Sequence, residues 1–265
     1  MSARGKRQRD PFSPSPWAPF MPKSGVWYRW RLDGAEVHIW NRGNEWHWAE
    51  QPKDVSRTER NFGGPEEYRG DVQDFHVSYA ASQPVALRPF TLNRPFVVQD
   101  PSAITVHRDH EVSFAVDLPV SVKLELESGV ILGMPNTILL TKTWFGDTTS
   151  GTACFLWPAK LALPLASPFG SMVRCQIRVR NLTKNPLQLK QFAVYSELLT
   201  LWTREGMLVT NDILLEGQSD GSLRMVSLPP AEVESLDLIC EAPVGQTDLL
   251  IKRGVGFLRN IAGIS

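Results

Sequence analysis

Two histidines lie close together in the stretch His107-Arg108-Asp109-His110. Imidazoles three residues apart can share a metal ion if they lie on one face of a helix. This stretch lies between two segments with the alternating pattern of β-strands, so the two imidazoles are not expected to share one face of a helix. We therefore expect neither a metal site nor a cofactor here.

A second group of residues could bind an anion. Alternation along 173–180 places Cys175 and Ile177 on one face of a strand and three arginines on the other, namely Arg174, Arg178 and Arg180. Lys190 is expected to join them from the partner strand of a hairpin. Four cations on one sheet face can hold a phosphate, a nucleic-acid backbone or an acidic protein segment. We favour the alternative of a solvated face whose charges meet Glu or Asp on neighbouring strands, with nucleic acid an unlikely partner.

The first part of the chain is rich in tryptophan. Five indoles fall within 27–48, at Trp27, Trp30, Trp40, Trp46 and Trp48. A platform of exposed rings can stack on sugars or on nucleic-acid bases, and Trp27, Trp46 and Trp48 are the candidate stacking residues. Because Trp30 shares the parity of its apolar neighbours, we expect most of these rings to fill the core instead.

Residues near the end of the chain have helical periodicity. Between 247 and 262, four apolar residues gather on one side of a helical wheel: Leu250, Phe257, Leu258 and Ile261. Lys252, Arg253 and Arg259 lie on the opposite side. We expect a short amphipathic helix whose apolar face packs on its own sheet, on a second copy of the chain or on a membrane surface. Packing within the chain is the commonest outcome for such a face, followed by contact in an oligomer.

No phosphate-binding loop of the G-x-x-x-x-G-K type is present. The carboxylate pair Glu66-Glu67 lies in a charged stretch, 51–71, that is expected to be a surface loop with no local reason for a raised pKa. We find no assembled catalytic set and expect a protein that is not an enzyme. A hydrolase using His107, His110 or a nearby acid is the least favoured hypothesis.

The elements that would position these residues are strands. The stretch 26–48 alternates with two turns and predicts a β-meander. Clear alternation also runs through 112–126, where Pro119 indicates a bend or an edge, and through 173–194, which we interpret as a hairpin turning at 181–186. Twenty prolines and nineteen glycines punctuate such runs. This is typical of an all-β fold, mainly an antiparallel β-sandwich of one or two packed sheets or sub-domains.

Three parts follow from this pattern. Residues 1–24 are basic and then rich in proline, which predicts a disordered tail. Residues 25–245 form the sandwich, with a possible division near 165–170, and residues 246–265 form the terminal helix. At 265 residues the chain can bury a core without disulfides or metals.

Charge and cysteine content restrict the partners and the compartment. Lys and Arg total 28 and so do Asp and Glu, so no overall field attracts nucleic acid or an anionic membrane. Three cysteines without a paired spacing favour a reducing cytoplasm over a disulfide framework. No stretch approaches the roughly 18 apolar residues of a membrane span, so no integral membrane segment is expected.

The stretch 141–157, Thr-Lys-Thr-Trp-Phe-Gly-Asp-Thr-Thr-Ser-Gly-Thr-Ala-Cys-Phe-Leu-Trp, resembles a segment of the prokaryotic family known as domain of unknown function 432. That family pattern has an aromatic-glycine pair, a short turn, a second glycine, and a strand with cysteine and aromatics. The matching residues here are Phe145, Gly146, Gly151, Cys154 and Trp157. Further similarity lies in 27–30 with 45–46, and in 177–187. Phe155 and Leu156 stand where the pattern has a basic residue, which removes support for an anion site there.

This resemblance covers most of 25–228 and implies a bacterial member of the family, a small cytoplasmic protein of undefined role. It also indicates a membrane channel or its neighbours as a partner. Together with the residues above, it favours a non-enzymatic interaction or self-assembly module that forms a homo-oligomer or docks to a protein through an edge strand or the terminal helix. The alternative is a carbohydrate- or nucleic-acid-binding domain that uses the tryptophans and the arginine-rich strand face.

Overall fold

A computed structural model describes residues 17–32, 35–52, 66–68, 74–136, 138–146, 151–158, 171–204, 206–219 and 223–243. Within these ranges the regular structure is β-strand apart from two single 3-10 turns, Ser196–Leu198 and Val233–Ser235. The expected all-β class is confirmed. The helix predicted over 246–265 and the division expected near 165–170 lie outside the described residues.

The strands are numbered in chain order. The first ten are β1 (Trp27–Arg31), β2 (Ala35–Arg42), β3 (Glu45–Pro52), β4 (Glu66–Tyr68), β5 (His76–Tyr79), β6 (Val85–Phe90), β7 (Phe96–Val106), β8 (Glu111–Pro119), β9 (Ser121–Leu126) and β10 (Ile131–Gly133). The others are β11 (Thr141–Phe145), β12 (Thr152–Pro158), β13 (Met172–Asn181), β14 (Leu187–Val194), β15 (Leu201–Arg204), β16 (Met207–Thr210), β17 (Asp212–Gly217), β18 (Leu223–Leu228) and β19 (Asp237–Cys240).

These strands form four sheets. The first has the order β4-β1-β2-β3-β5 and the second the order β10-β9-β6, and both are antiparallel. The third, β11-β12-β7-β14, contains one parallel pair, β12 with β7. In the fourth, β18-β17-β13-β16-β15-β19, strand β13 runs parallel to β16 and β17 and antiparallel to β8. One contiguous cluster of buried side chains draws from all four sheets, with Trp46, Leu124, Phe96 and Ile177 among its members.

The predicted meander at the start of the chain is confirmed as β1, β2 and β3. Tyr28, Trp30 and Leu32 are buried on the inner face, as their shared parity predicts. The stretch expected to be a loop, 51–71, differs in that it contains β4, whose Tyr68 pairs with Trp27. A short strand in a charged stretch has too little apolar alternation to be recognised from the sequence.

Alternation through 112–126 is also confirmed, and Pro119 does mark a bend. Strand β8 ends there and pairs with β13, whereas β9 begins two residues later and pairs with β6 and β10. The Val120 amide donates to the Ser171 carbonyl at this switch between sheets. The apolar side chains stay buried on both sides of the bend because their parity does not change.

The hairpin predicted for 173–194 is wrong. Both halves are strands, but β13 pairs with β8 over nine residues while β14 pairs with β7 in another sheet. Asn181 is fully buried at the end of β13, where the chain leaves the fourth sheet for β14 in the third. Its side-chain amide donates to the carbonyls of Val106 and Asn185 at 2.8 Å each, which holds the chain in place between the two sheets. Alternation predicts which face of a strand is buried and carries no information about which strand lies beside it.

Residues 17–24, assigned to the tail from their composition, are packed against the sheets instead. Trp17 is buried and its indole N–H donates to the Gly206 carbonyl at 3.0 Å. Phe20 forms a backbone bridge with Val85 and packs against the rings of Tyr28 and Trp30. Packing the rings of Trp17 and Phe20 against the sheets offsets the conformational entropy that this segment loses when it becomes ordered. Its proline-rich composition alone does not reveal that compensation.

Candidate functional site

The two histidines of the 107–110 stretch lie in the exposed turn between β7 and β8. Their ring centroids are 6.3 Å apart, and His110 Nδ1 lies 2.8 Å from the Arg108 carbonyl, to which its N–H donates. Asp109 has a φ of 59°, which makes the turn tight. Within the part of the chain that the structure describes, no group of three or more His, Cys, Asp or Glu side chains could hold a metal ion.

The three arginines of β13 do share the outer face of the fourth sheet, and carboxylates meet them there. Arg174 donates to both oxygens of Asp117, on β8, at 2.8 and 3.0 Å. Arg180 contacts Glu111 at 2.8 Å and Glu216, on β17, at 3.5 Å. These contacts form a cross-strand ion-pair network that engages Arg174 and Arg180.

Arg178 and Asp212 lie on the same face. Burial raises the pKa of the Asp212 carboxyl, and the nearby Arg178 guanidinium opposes that shift.

Lys190 lies apart from these arginines, and its expected place beside them is corrected. It is exposed on β14, which belongs to the third sheet and pairs with β7. The expectation depended on the hairpin, and it fails because β13 and β14 diverge after Asn181.

The candidate stacking tryptophans do not form one platform. Trp46 and Trp48 are buried on the inner face of β3, where their indole N–H groups donate to the carbonyls of Ala80 and Leu132 at 3.0 and 3.1 Å. Trp27 lies on the opposite, outer face of the first sheet. The structure therefore separates Trp27 from the other two.

Another row of rings, which the tryptophan count did not reveal, crosses that outer face. Trp27 and Trp40 have centroids 6.1 Å apart, Trp40 meets His47 at 4.6 Å, and His47 meets Phe75 at 4.5 Å. Register explains the row, since Trp27 pairs with Trp40 and Trp40 with His47 on neighbouring strands. The outward parity of Trp27, Trp40 and His47 was the available signal.

The residues of the family resemblance have structural roles. Gly146 has a φ of 106°, and a Cβ there would come within 2.7 Å of the Gly151 Cα, so both glycines suit the turn between β11 and β12. Phe145 and Cys154 pack in a small buried cluster on the third sheet. Burial raises the pKa of the Cys154 thiol to about 11, so it stays protonated at neutral pH.

One match to the G-x-S-x-G pattern of nucleophile elbows occurs at 217–221. An elbow joins a strand to a helix, whereas these residues connect β17 with the antiparallel β18. Ser219 is exposed, and the described residues include no hydrogen bond between it and a histidine side chain. The match therefore carries no catalytic geometry.

A groove lies on the outer face of the second sheet, bordered by β19. We call it the β19 groove. Its volume is about 320 Å³, and its lining residues are Arg88, Pro89, Phe90, Lys123, Glu125, Ile131, Met134, Ile239 and Cys240. Alternation explains the floor: Leu87 of β6 and Val122 and Leu124 of β9 point into the core, which turns Arg88, Lys123 and Glu125 outward.

The charges of the β19 groove are concentrated in its floor. Lys123 Nζ lies 3.1 Å from one oxygen of Glu125, and Arg88 Nε lies 3.9 Å from the other. The rim is apolar and open to solvent, with Ile131 and Met134 exposing 44% and 56% of their surfaces. An apolar rim around a floor whose charges are already paired with one another suits a protein segment better than a small ion.

Strand β19 forms one side of the groove. It pairs with β15, and no described strand pairs with its other edge. Cys240 at its end is the one cysteine of the three that is not buried, and burial still raises the pKa of its thiol. The described chain continues to Pro243, with the Ala242 amide held by Thr200 Oγ1 at 3.2 Å.

The described residues form an all-β fold. The outer face of its fourth sheet carries ion pairs, the outer face of its first sheet carries a row of aromatic rings, and an apolar groove lies beside strand β19. The chain belongs to the family described as "Protein of unknown function (DUF432)", whose model matches residues 16–246. Comparisons with curated proteins and with solved structures give no significant match. Among the described residues, no helix has both the length and the apolar character needed to cross a membrane.

Proposed function

We propose that this protein is a non-catalytic interaction module that self-associates through the β19 groove. The observation that carries the proposal is the open apolar rim of Ile131 and Met134 facing Ile239 across the groove. Apolar side chains collected around a recess are typical of a surface that another protein covers.

A second copy of the chain is the occupant to which the proposal commits. The formal net charge of the chain is zero, so two copies approach without overall repulsion. The edge of β19 that makes no hydrogen-bonded pairing with a described strand can pair with a strand from a two-fold related copy, which forms a closed dimer rather than a fibre.

The polar groups of the groove support binding over catalysis. Glu125 already accepts from Lys123 and lies near Arg88, which ties its carboxylate to the floor. The raised pKa of Cys240 keeps its sulfur protonated at neutral pH, and a thiol is a poor nucleophile compared with a thiolate.

The proposal places the protein in the cytoplasm. Cys154, Cys175 and Cys240 are all free, which suits a reducing compartment. A membrane channel or its neighbours, indicated by the family resemblance, is the partner to test after self-association.

Light scattering on the full chain tests the proposal. We expect a mass above that of the monomer, reduced to the monomer by Met134→Glu, which places a charge on the rim. Leu139→Glu is the matched control, because Leu139 is fully exposed and does not line the groove. A monomeric full chain, or an assembly indifferent to Met134→Glu, would contradict the proposal.

A second candidate is carbohydrate binding, which the row Trp27, Trp40, His47 and Phe75 favours because aromatic rings stack on sugars. Nucleic-acid binding has less support, since carboxylates meet Arg174 and Arg180. Tryptophan emission titrated with a panel of glycans and oligonucleotides tests both, and unchanged emission across the panel would rule against them.

A further inference from the structure

We propose that strand β5 pairs with the β5 of another copy and so joins dimers of this chain into larger assemblies. Residues 75–79, which form this contact, are called the β5 edge. The inference rests on the proposed self-association through the β19 groove and adds a second contact to it. None of the residues that line the groove lies on β5, so the two contacts use different surfaces.

Exposed apolar side chains are concentrated on the β5 edge. Phe75, Val77 and Tyr79 expose 44%, 44% and 79% of their surfaces. Phe75 lies against His47, with ring centroids 4.5 Å apart. Val77 pairs with His47 in the register of β3, and Tyr79 follows two residues later, so all three side chains share the outer face of the first sheet. A contiguous exposed apolar patch is typical of a surface that another protein covers.

The backbone of the β5 edge is open on the side away from β3. Strand β5 ends the first sheet, and no described strand pairs with its other side. The Ala80 amide donates to the Asn44 carbonyl, just before β3, at 2.9 Å. Because backbone groups alternate in direction along an antiparallel strand, Ser78 also points toward β3, whereas Val77 and Tyr79 point away. Their N–H and C=O groups can therefore bond to an added strand.

The inner face of β5 is anchored to the first sheet. The ring of His76 stacks on Trp48, with centroids 4.3 Å apart and planes 24° apart. The indole N–H of Trp46 donates to the Ala80 carbonyl at 3.0 Å, just beyond the strand. These contacts hold β5 in its extended conformation before any partner arrives, which lowers the conformational entropy that pairing costs.

A second copy of the same edge fits this surface because the edge is self-complementary. A two-fold axis through the sheet at Val77 places Phe75 opposite Tyr79 of the other copy, and the reverse. This antiparallel register joins only residues whose backbone groups point outward. It forms two cross-strand aromatic pairs, which stabilise a sheet. Asp74 falls opposite Ala80 of the other copy, so the register brings no like charges face to face.

The β5 contact is too small to hold two copies by itself. Strand β5 has four residues and is roughly 13 Å long, whereas stable interfaces bury about 1,200 Å² or more. We therefore expect it to act between copies that the β19 groove has already joined, since each such dimer carries two β5 edges. Met134→Glu still gives a monomer, because it removes the larger contact.

Light scattering over a range of protein concentrations tests the β5 contact. We expect the mass of the full chain to rise with concentration from that of a dimer toward that of a tetramer. Val77→Lys, which places two cations face to face at the axis, should stay a dimer at every concentration. Leu182→Lys is the matched control and should assemble as the parent does, because Leu182 exposes 45% of its surface and lies on neither contact.

An exchange of charges tests the register. Phe75→Glu and Tyr79→Lys should each weaken growth beyond the dimer, because each sets a lone charge against an aromatic ring of the other copy. The double variant should restore growth, because the two opposite charges then face each other across the axis. Positions 75 and 79 of one copy are roughly 13 Å apart, so the charges cannot pair within a chain. A double variant no better than the single variants would overturn the register.

The same measurements separate the β5 contact from the proposed groove contact. A full chain that stays a dimer at all concentrations, or a Val77→Lys variant that assembles as the parent does, would overturn the β5 contact and leave the groove standing. A dimer that is dissolved by Val77→Lys and not by Met134→Glu would support the β5 contact and contradict the groove. A full chain that is monomeric throughout would overturn both.

Discussion

The backbone of Gly133 lies directly against the indole ring of Trp48. A Cβ built on Gly133 would fall 2.7 Å from Trp48 Nε1 and closer still to Cζ2 and Cε2. The same indole donates to the carbonyl of Leu132 at 3.1 Å, so β10 of the second sheet and β3 of the first are held together at this point. The rim of the β19 groove is thereby attached to the buried core of the first sheet.

Gly133→Ala is expected to destabilise the protein, because one methyl group has no space beside the ring. Overpacking of this kind costs about 1–3 kcal/mol in free energy of unfolding. Urea denaturation measures it. The double variant with Trp48→Phe should lose less than the sum of the two single variants, since the smaller ring relieves the overlap. Additive losses would mean that the two residues are not in contact.

Arg174→Ala should lower the free energy of unfolding by about 1–2 kcal/mol, because Asp117 loses a charged, two-pronged partner. Lys190→Ala, an exposed cation in the third sheet, should stay within about 0.5 kcal/mol of the parent. Paired urea titrations compare them. Equal effects would contradict the ion-pair network on β13.

His38 gives the fold a dependence on pH. Its side chain is buried on β2, and desolvation lowers its pKa from 6.5, with Arg29 acting in the same direction and Glu36 and Gln51 opposing. The unfolded chain therefore binds this proton more readily than the folded chain. The stability that depends on a neutral His38 is fully present above about pH 6.5, the pKa of this side chain in the unfolded protein. It is lost as the pH falls from there toward the lower pKa that His38 has in the folded protein.

Urea denaturation at several pH values from about 5 to about 8, a range that spans the ordinary imidazole pKa of about 6.5, checks this dependence. His38→Gln should flatten the fall in stability at the acid end. His110→Gln, in the exposed turn before β8, should leave the fall unchanged. A parent whose stability rises on acidification would contradict the assignment.

The alternation of apolar and polar residues predicts most of the strands and their buried faces. It does not predict which strands lie side by side. Tyr28, Trp30 and Val173 are buried as their parity predicts, because each strand has one face toward the core. Parity does not specify neighbours, which is why Lys190 was expected beside Arg174. Trp17 was assigned to a tail because its partner, the Gly206 carbonyl, lies 189 residues away.

The candidate site was harder to predict than the fold. Arg88, Lys123, Ile131 and Ile239 come from four strands spread over much of the chain, and no local motif links them. Exposed Met134, in the connection that follows β10, was a local signal of an apolar rim. The outward direction of the three arginines of β13 was predictable from alternation, whereas their carboxylate partners Glu111, Asp117 and Glu216 follow from strand pairings that alternation does not specify.

Hydrogen exchange at two protein concentrations tests the central claim, that copies of this chain meet at the β19 groove. The account predicts that amides of β10 and β19 exchange more slowly in concentrated than in dilute solution, while amides of β13 exchange equally in both. Unchanged exchange in β10 and β19, with concentration-dependent protection elsewhere, would place the contact on another surface and contradict the account.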